Sequence, residues 1–206
     1  GTETIRRGRE RGKLRVVIAE VNDQMPEIFG DNYVHVSEID HFIEHSSPIP
    51  EFPRAKPGEV EKAIAGYVAD QIHDGDTIQM GIGSITEAII PLLENKHGLG
   101  VHSEMFPPAL NELMEKGIVT NRNKPIHKGI NIGTFCFPDR SLREFITRNP
   151  QCNFYGADYT NHPQLIASHP NMKSINMCIM VDFLGQVAAE GIGTRMVSGA
   201  GGQPEF

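Results

Sequence analysis

Hydrophobic and polar positions follow different rhythms along this chain, and the changes between them mark out its segments. Residues 14–21 are short, β-branched and largely apolar, the pattern of a buried strand. Asn22, Asp23 and Pro26 follow as a turn, and residues 34–43 alternate only partly, as a strand end or an irregular segment would. Between 46 and 58 the rhythm stops. Pro48, Pro50, Pro53 and Pro57 fix φ and remove backbone donors there, so this stretch reads as a linker. Residues 59–72 then place Val60, Ala63, Ile64, Tyr67, Val68 and Ile72 at helical spacing. After them come a strand at 76–80, a glycine turn at 81–85, a helix at 86–94, a strand at 99–102 and a helix at 108–116. A strand at 130–137, a helix at 140–148, a strand at 152–155 and a short helix at 163–168 continue the alternation. Residues 172–183 and 186–192 read as two strands meeting at Leu184-Gly185. Strands separated by helices call for parallel pairing, and the last two strands for a hairpin. The expected fold is α/β, a largely parallel sheet flanked by helices. Residues 1–46 would end one domain, 47–58 would link, and 59–206 would form most of a second domain.

Composition narrows the possible functions. Of 206 residues, 39% are hydrophobic, and no apolar run approaches the roughly 20 residues that span a bilayer, so no membrane role is expected. The first residues lack the apolar core of a secretion signal. Cys136, Cys152 and Cys178 are scattered and odd in number, which argues against a disulfide framework and for the cytoplasm or another reducing compartment. A net charge of −7 does not suit a polyanion partner, so no nucleic acid is expected. Arg6, Arg7, Arg9, Arg11, Lys13 and Arg15 are a local exception. Glu3 and Glu10 dilute that patch, no aromatic residues interleave it, and it reads as a solvated helix or loop. The chain begins at Gly and ends just after a glycine-rich loop, which suggests a fragment of a longer protein.

Three stretches have the makings of chemistry. Gly81-Ile82-Gly83-Ser84-Ile85 joins a strand to a helix. Glycines there let the backbone approach a ligand, and a helix N-terminus offers free N–H groups to a phosphate; the alternative is a tight turn with no ligand. It is no Walker loop, and Thr86 stands where a dinucleotide fingerprint has its third glycine. Glu104 stands at the C-terminal end of a parallel strand, where open α/β sheets bind ligands. A carboxylate there can be base, metal ligand or nucleophile, or simply a solvated loop glutamate. Ser198-Gly199-Ala200-Gly201-Gly202 could turn N–H groups toward an oxyanion, Gly199 and Gly201 among them, or could be only a turn. His41 with His45, and His162 with His169, lack the companions of a zinc site, so no metal is expected. Cys136 and Cys178 fall in strands and read as buried small hydrophobes. Ser103 lacks a nucleophile elbow.

Read in order, these stretches and several others resemble a known family. They are Gly81 to Ile85, His102-Ser103-Glu104-Met105, Gly117-Ile118-Val119-Thr120-Asn121, Asp158-Tyr159-Thr160-Asn161, Ser174-Ile175-Asn176, Asp182-Phe183-Leu184-Gly185-Gln186-Val187, and Ser198 to Gln203. The series resembles the acetyl-CoA hydrolase/transferase family, nearest its 4-hydroxybutyrate and butyrate:acetate CoA-transferase branch. That resemblance implies a two-domain α/β protein, and a homo-oligomer, acting on short-chain acyl-CoA and carboxylates such as acetate. Coenzyme A would be substrate, with no cofactor permanently bound. It places the nucleophile on Glu104, the first coenzyme loop on Gly81, Ile82, Gly83, Ser84 and Ile85, and further coenzyme contacts on Ile179 and Gly202. Ser103 replaces a commoner Thr, Met180 an acidic residue, and Phe106-Pro107-Pro108 a smaller run expected to shape the acyl pocket. Acyl-CoA hydrolysis and a non-catalytic coenzyme-binding module are the alternatives.

Overall fold

The computed structural model describes residues 2–206. Helix α1 (Thr2–Glu10) carries Arg6, Arg7 and Arg9 of the basic cluster, and each has acidic partners: Arg6 pairs with Asp31, Arg7 with Glu3 and Asp158, Arg9 with Asp40. Next come β1 (Ile18–Val21), β2 (Phe29–Gly30) and β3 (His41–Glu44). β1 and β3 pair in parallel, Ile18 opposite His41. The sequence pattern called for a buried strand here, yet Ile18 is 60% and Phe42 50% exposed. The reason is that β1 has one strand partner and its apolar side chains meet no covering layer; only Val17, held by its N–H to Asp40 (2.7 Å), is buried. Residues 45–58 have no regular structure.

Helix α2 (Glu59–Ala69) starts where Glu61 accepts a hydrogen bond from the Gly58 N–H at 3.1 Å. It buries its small side, Ala65 and Ala69, and packs closely on the next helix. The spacing-derived apolar positions Val60 and Tyr67 point outward instead. Strand β4 (Thr77–Met80) is buried throughout. Helix α3 (Ser84–Ile89) tightens into a 3-10 turn at Ile90–Leu93, where Pro91 has no N–H to continue the α pattern. The chain then forms β5 (Gly100–Val101), β6 (Met105–Phe106), α4 (Leu110–Glu115), β7 (Asn131–Gly133), β8 (Phe135–Cys136), α5 (Arg140–Ile146) and β9 (Cys152–Phe154). Two short helices, α6 (Ala157–Thr160) and α7 (Pro163–Ala167), lead to β10 (Met172–Ile175). Two antiparallel hairpins finish it: β11 (Met180–Val181) with β12 (Val187–Ala188), and β13 (Gly191–Ile192) with β14 (Arg195–Met196).

β10, β4 and β5 pair in parallel, as do β2, β9 and β7. A parallel bridge between His102 and Ile132 joins the two sets into one parallel surface. Ile78, Met80, Val101, Ile132 and Phe154 are buried in it, with Leu93, Leu110, Leu113, Leu142 and Ile146 packed from the helices. Continuous burial of this kind is what a parallel sheet covered by helices requires. The α/β class with largely parallel strands is therefore as the sequence rhythm indicates.

Two expected strands are broken, and both breaks matter. Residues 130–137 split at Thr134, because the N–H groups of Thr134 (2.8 Å) and Phe135 (3.2 Å) both bond to the Glu104 carbonyl. Two residues facing one displace the ladder as a bulge does, and bulges re-aim side chains. Residues 172–183 split after Ile175, where Asn176 turns to the Gln79 side chain (3.0 Å). The expected turn at Leu184-Gly185 is present, with Gly185 at φ 81° and Asp182 accepting the N–H of Leu184 at 2.8 Å.

Candidate functional site

Glu104 occupies the break between β5 and β6, at the C-terminal end of the central parallel strands. The residues before it hold the chain in place. His102 is buried, and its Nε2 lies 2.7 Å from the Thr160 carbonyl oxygen. Burial pushes the His102 imidazole down to about 4, so it adds no charge beside the site at neutral pH. The Ser103 hydroxyl accepts the Met80 N–H (3.2 Å) and donates to the Met105 carbonyl (2.7 Å), tying the turn to the end of β4. That use, and its 1% exposure, make Ser103 a structural hydroxyl.

A second clamp acts on Val101. Its N–H donates to Asn121 Oδ1 at 2.8 Å, and its carbonyl accepts from Lys124 Nζ at 2.9 Å. Lys124 Nζ also donates to the Ile130 carbonyl at 2.7 Å. Lys124 is 1% exposed and has no carboxylate partner among the described residues, and burial pushes its amine down to about 7. The Lys124 stem fits only because Gly100 lacks a side chain; a Cβ there would meet Lys124 Cγ at 2.8 Å.

The Glu104 carboxylate accepts a hydrogen bond from the Gly202 N–H at 2.8 Å. Gly202 must be glycine at this approach. A Cβ would lie 2.4 Å from Glu104 Oε2 and 2.2 Å from Asn161 Nδ2. Asn161 therefore stands against Gly202, with its Oδ1 buried and unpartnered among the described residues. Asn161 lies within the Asp158–Asn161 motif, but only the fold brings it beside Gly202.

A cavity of about 580 Å³ opens on one side of Glu104. Gly81 and Ile82 line it, as do Gly199, Gly201, Gly202, Met105, Phe135, Phe137 and Met177. A second cavity of about 450 Å³ lies beyond Glu104 and Gly202, lined by Asp158, Asn161, His162 and Glu205. The structure thus gathers Glu104, Gly81, Ile82, Gly199, Gly201 and Gly202 around one cleft. Gly83, Ser84, Ile85 and Ile179 do not line it. Gly83, at φ 120°, makes room for Met177, whose Sδ would be 2.8 Å from a Cβ there. Ser84 and Ile85 begin α3, and Ile179 pairs through its N–H with the Ala188 carbonyl at 2.8 Å. Phe106, expected near the acyl pocket, is instead fully buried against Phe154 and Gly133 in the core.

The remaining candidates have local explanations. His162 caps α7 by accepting the Gln164 N–H, and His169 packs on His102 with ring centroids 4.8 Å apart. Burial pushes the Cys136 thiol up to about 11 and Cys152 up to about 12, away from reactivity. Cys178 is exposed, contrary to its reading as a buried hydrophobe, because the chain has left the sheet by then.

A largely parallel α/β sheet flanked by helices, with Glu104 at its strand ends, is the fold class of the CoA-transferase structures on which this chain superposes. The chain belongs to the acetyl-CoA hydrolase/transferase family. Residues 139–206 match the acetyl-CoA hydrolase/transferase C-terminal domain. The chain is 44% identical to the 4-hydroxybutyrate coenzyme A transferase of Clostridium kluyveri, over 93% of this chain and 45% of that protein. It is 36% identical to the succinyl-CoA:cyclohexane-1-carboxylate CoA transferase of Geobacter metallireducens, over 94% and 44%. The 4-hydroxybutyrate CoA-transferase structure from Porphyromonas gingivalis superposes with a TM-score of 0.79 at 38% identity, over 84% of this chain and 44% of that one. The chain spans about half the length of these relatives.

Proposed function

We propose that the protein containing this chain moves coenzyme A between a short-chain acyl-CoA and a carboxylic acid such as acetate, with Glu104 as nucleophile. The observation that carries this reading is the Glu104 carboxylate, held at 2.8 Å by the Gly202 N–H at the mouth of a cavity shared with Gly81 and Ile82. The Glu104 carboxylate attacks the thioester carbonyl, the C–S bond breaks, and CoA leaves as thiolate. An acyl–glutamyl anhydride remains. The thiolate then attacks the glutamyl carbonyl and expels the first carboxylate, leaving a glutamyl-CoA thioester. A second carboxylate attacks that thioester, and the returning thiolate carries the new acyl group away. Each step conserves the activated acyl bond, so no nucleotide is consumed.

The residues present suit these steps. When the glutamyl carbonyl is attacked, its oxygen becomes an oxyanion where the Gly202 N–H already points. One such donor lowers the barrier by on the order of 3 kcal/mol. Gly199 and Gly201 stand in the same loop as further donor candidates, and the Asn161 amide abuts Gly202. Gly81 and Ile82 would receive the thioester end of the coenzyme. Gly83, Ser84, Ile85 and Ile179 would serve parts of it that lie beyond the cavity. A cytoplasmic or other reducing setting and a homo-oligomer complete the proposal.

The test is made on the full-length protein. Incubation with acyl-CoA should add the mass of CoA to the peptide containing Glu104, and borohydride should release that CoA and leave Glu104 reduced to the alcohol. Glu104→Ala should remove the adduct and lower kcat by about 10⁴-fold. An adduct that persists in that variant refutes the proposal. Dependence of product release on an added carboxylate separates transfer from hydrolysis.

A further inference from the structure

The larger cavity beside Glu104 has one aromatic wall, and that wall is built rather than incidental. Met105 follows Glu104 directly and stands opposite Phe135 in the β6–β8 ladder. Phe135 is itself tied to Glu104, donating its N–H to the Glu104 carbonyl at 3.2 Å. Phe137 meets Phe135 edge-on, with centroids 5.5 Å apart, and stacks on Phe52 at 5.4 Å and 26°. Phe52 comes from the proline-rich segment, which is fastened at this point. The Phe52 N–H donates to the Pro138 carbonyl (3.2 Å), and Arg54 Nε donates to Asp139 (2.7 Å). Braced from behind in this way, Phe135 and Phe137 still present apolar surface to the cavity, at 39% and 45% exposure.

The charges around the same cavity all have one sign. Among the described residues, its lining contains two carboxylates, Glu104 and Glu190, and no lysine, arginine or histidine. An uncharged aliphatic chain reaching past Glu104 would lie on the aromatic wall, gaining about fourfold in affinity for each methylene it buries. A chain ending in a second carboxylate would lose water there and meet no counter-ion among the described residues, which is a repulsive element of selectivity.

We propose that Phe135 and Phe137 form the acyl-selecting wall of this site, and that the wall favours uncharged aliphatic acyl groups of a few carbons over dicarboxylic ones. The proposal rests on Glu104 being the nucleophile, since that fixes where the acyl chain begins. Phe52 is a positioning residue: it holds the Phe137 ring against the cavity without lining it.

The test compares butyryl-CoA with succinyl-CoA as donors to acetate, using the full-length protein. The wild type should favour butyryl-CoA at least tenfold in kcat/KM. Phe137→Ala and Phe135→Ala should each cut that ratio by about tenfold, chiefly by weakening butyryl-CoA. Phe52→Ala should move the ratio in the same direction by less. Phe137→Leu, a smaller change, serves should either alanine variant not fold. A CoA adduct on Glu104 is followed by mass in parallel. Equal use of the two donors by the wild type overturns the proposal, as does an unchanged ratio in the folded Phe137 and Phe135 variants while the adduct still forms. Loss of the adduct with every donor is a different result, and refutes the nucleophile reading itself.

Discussion

At the scale of single residues, the site depends on an absence. Gly202 can bring its N–H to 2.8 Å from Glu104 only because no side chain stands between them. Gly202→Ala would place a methyl group inside contact distance of both Glu104 Oε2 and Asn161 Nδ2. Relief requires the late loop to withdraw, which lengthens the hydrogen bond that polarises the glutamyl carbonyl. A fall in kcat of about 10²-fold is expected, the scale of one lost oxyanion donor, together with about 1–3 kcal/mol of stability from overpacking. Steady-state kinetics alongside thermal melts checks both, and a full-activity Gly202→Ala would show that the N–H contributes nothing to turnover. Glu104 and the glycine clusters were legible in the sequence because residue type and position at a strand end carry information. Asn161 and Lys124 were not. Asn161 meets Gly202, and Lys124 reaches the Val101 carbonyl, only in the fold, and a polar residue in a loop looks the same whether it faces water or a buried backbone.

At the scale of elements, the strand that delivers Glu104 is short, and side chains do part of the work of a ladder. β5 has two residues, and on Val101 both backbone groups are held by the segment from Asn121 to Lys124. This strand and β4 were legible from their place between helical stretches, although Thr77 and Gln79 keep β4 from reading as the continuous apolar run of a buried parallel strand. The sequence did not show that residues 130–137 would break at Thr134, since the break comes from two N–H groups converging on one carbonyl in another strand. The clamp also has a titration. Lys124 has two acceptors, so a neutral amine with two N–H groups satisfies both and the third proton of the ammonium has no partner. Its folded value, about 7, lies below the ordinary 10.5. Between those values the unfolded chain binds a proton that the folded chain has released, so stability rises with pH, by at most about 1.4 kcal/mol per unit from this group. Lys124→Met should remove that rise. It should also cost about 1–3 kcal/mol at neutral pH, through carbonyls left without donors. Urea unfolding at intervals from pH 7 to 10 measures both, and an unchanged slope in the variant would place the titration elsewhere.

At the scale of the whole molecule, the two sides of the site are held with different strength. Glu104 hangs from the buried sheet, where Ile78, Val101 and Ile132 are all fully covered. Gly202 follows the hairpins β11–β12 and β13–β14, where Met180, Val181, Val187 and Met196 are exposed. Regions with few buried apolar contacts open locally at low cost, while core strands open only with global unfolding. The α/β order that placed the rigid side was readable from periodicity. The weakness of the other side was not, because residues 177–187 have the apolar content of a buried strand and only the fold leaves them exposed. Amide exchange should therefore be slowest in β4, β5, β7 and β9, and fast in β1, β3 and β11 to β14. Residues 198–204 should also exchange fast in the free protein, despite the bond from Gly202 to Glu104. If that loop closes on the coenzyme, saturating CoA should slow exchange at 198–204 and in β11–β12, and leave β4 unchanged. Peptide-resolved hydrogen exchange, with and without CoA, decides it. Protection at 198–204 as strong as that of β4 before any CoA is added would mean that the loop is part of the rigid frame, and that the Gly202 donor is in place before substrate arrives.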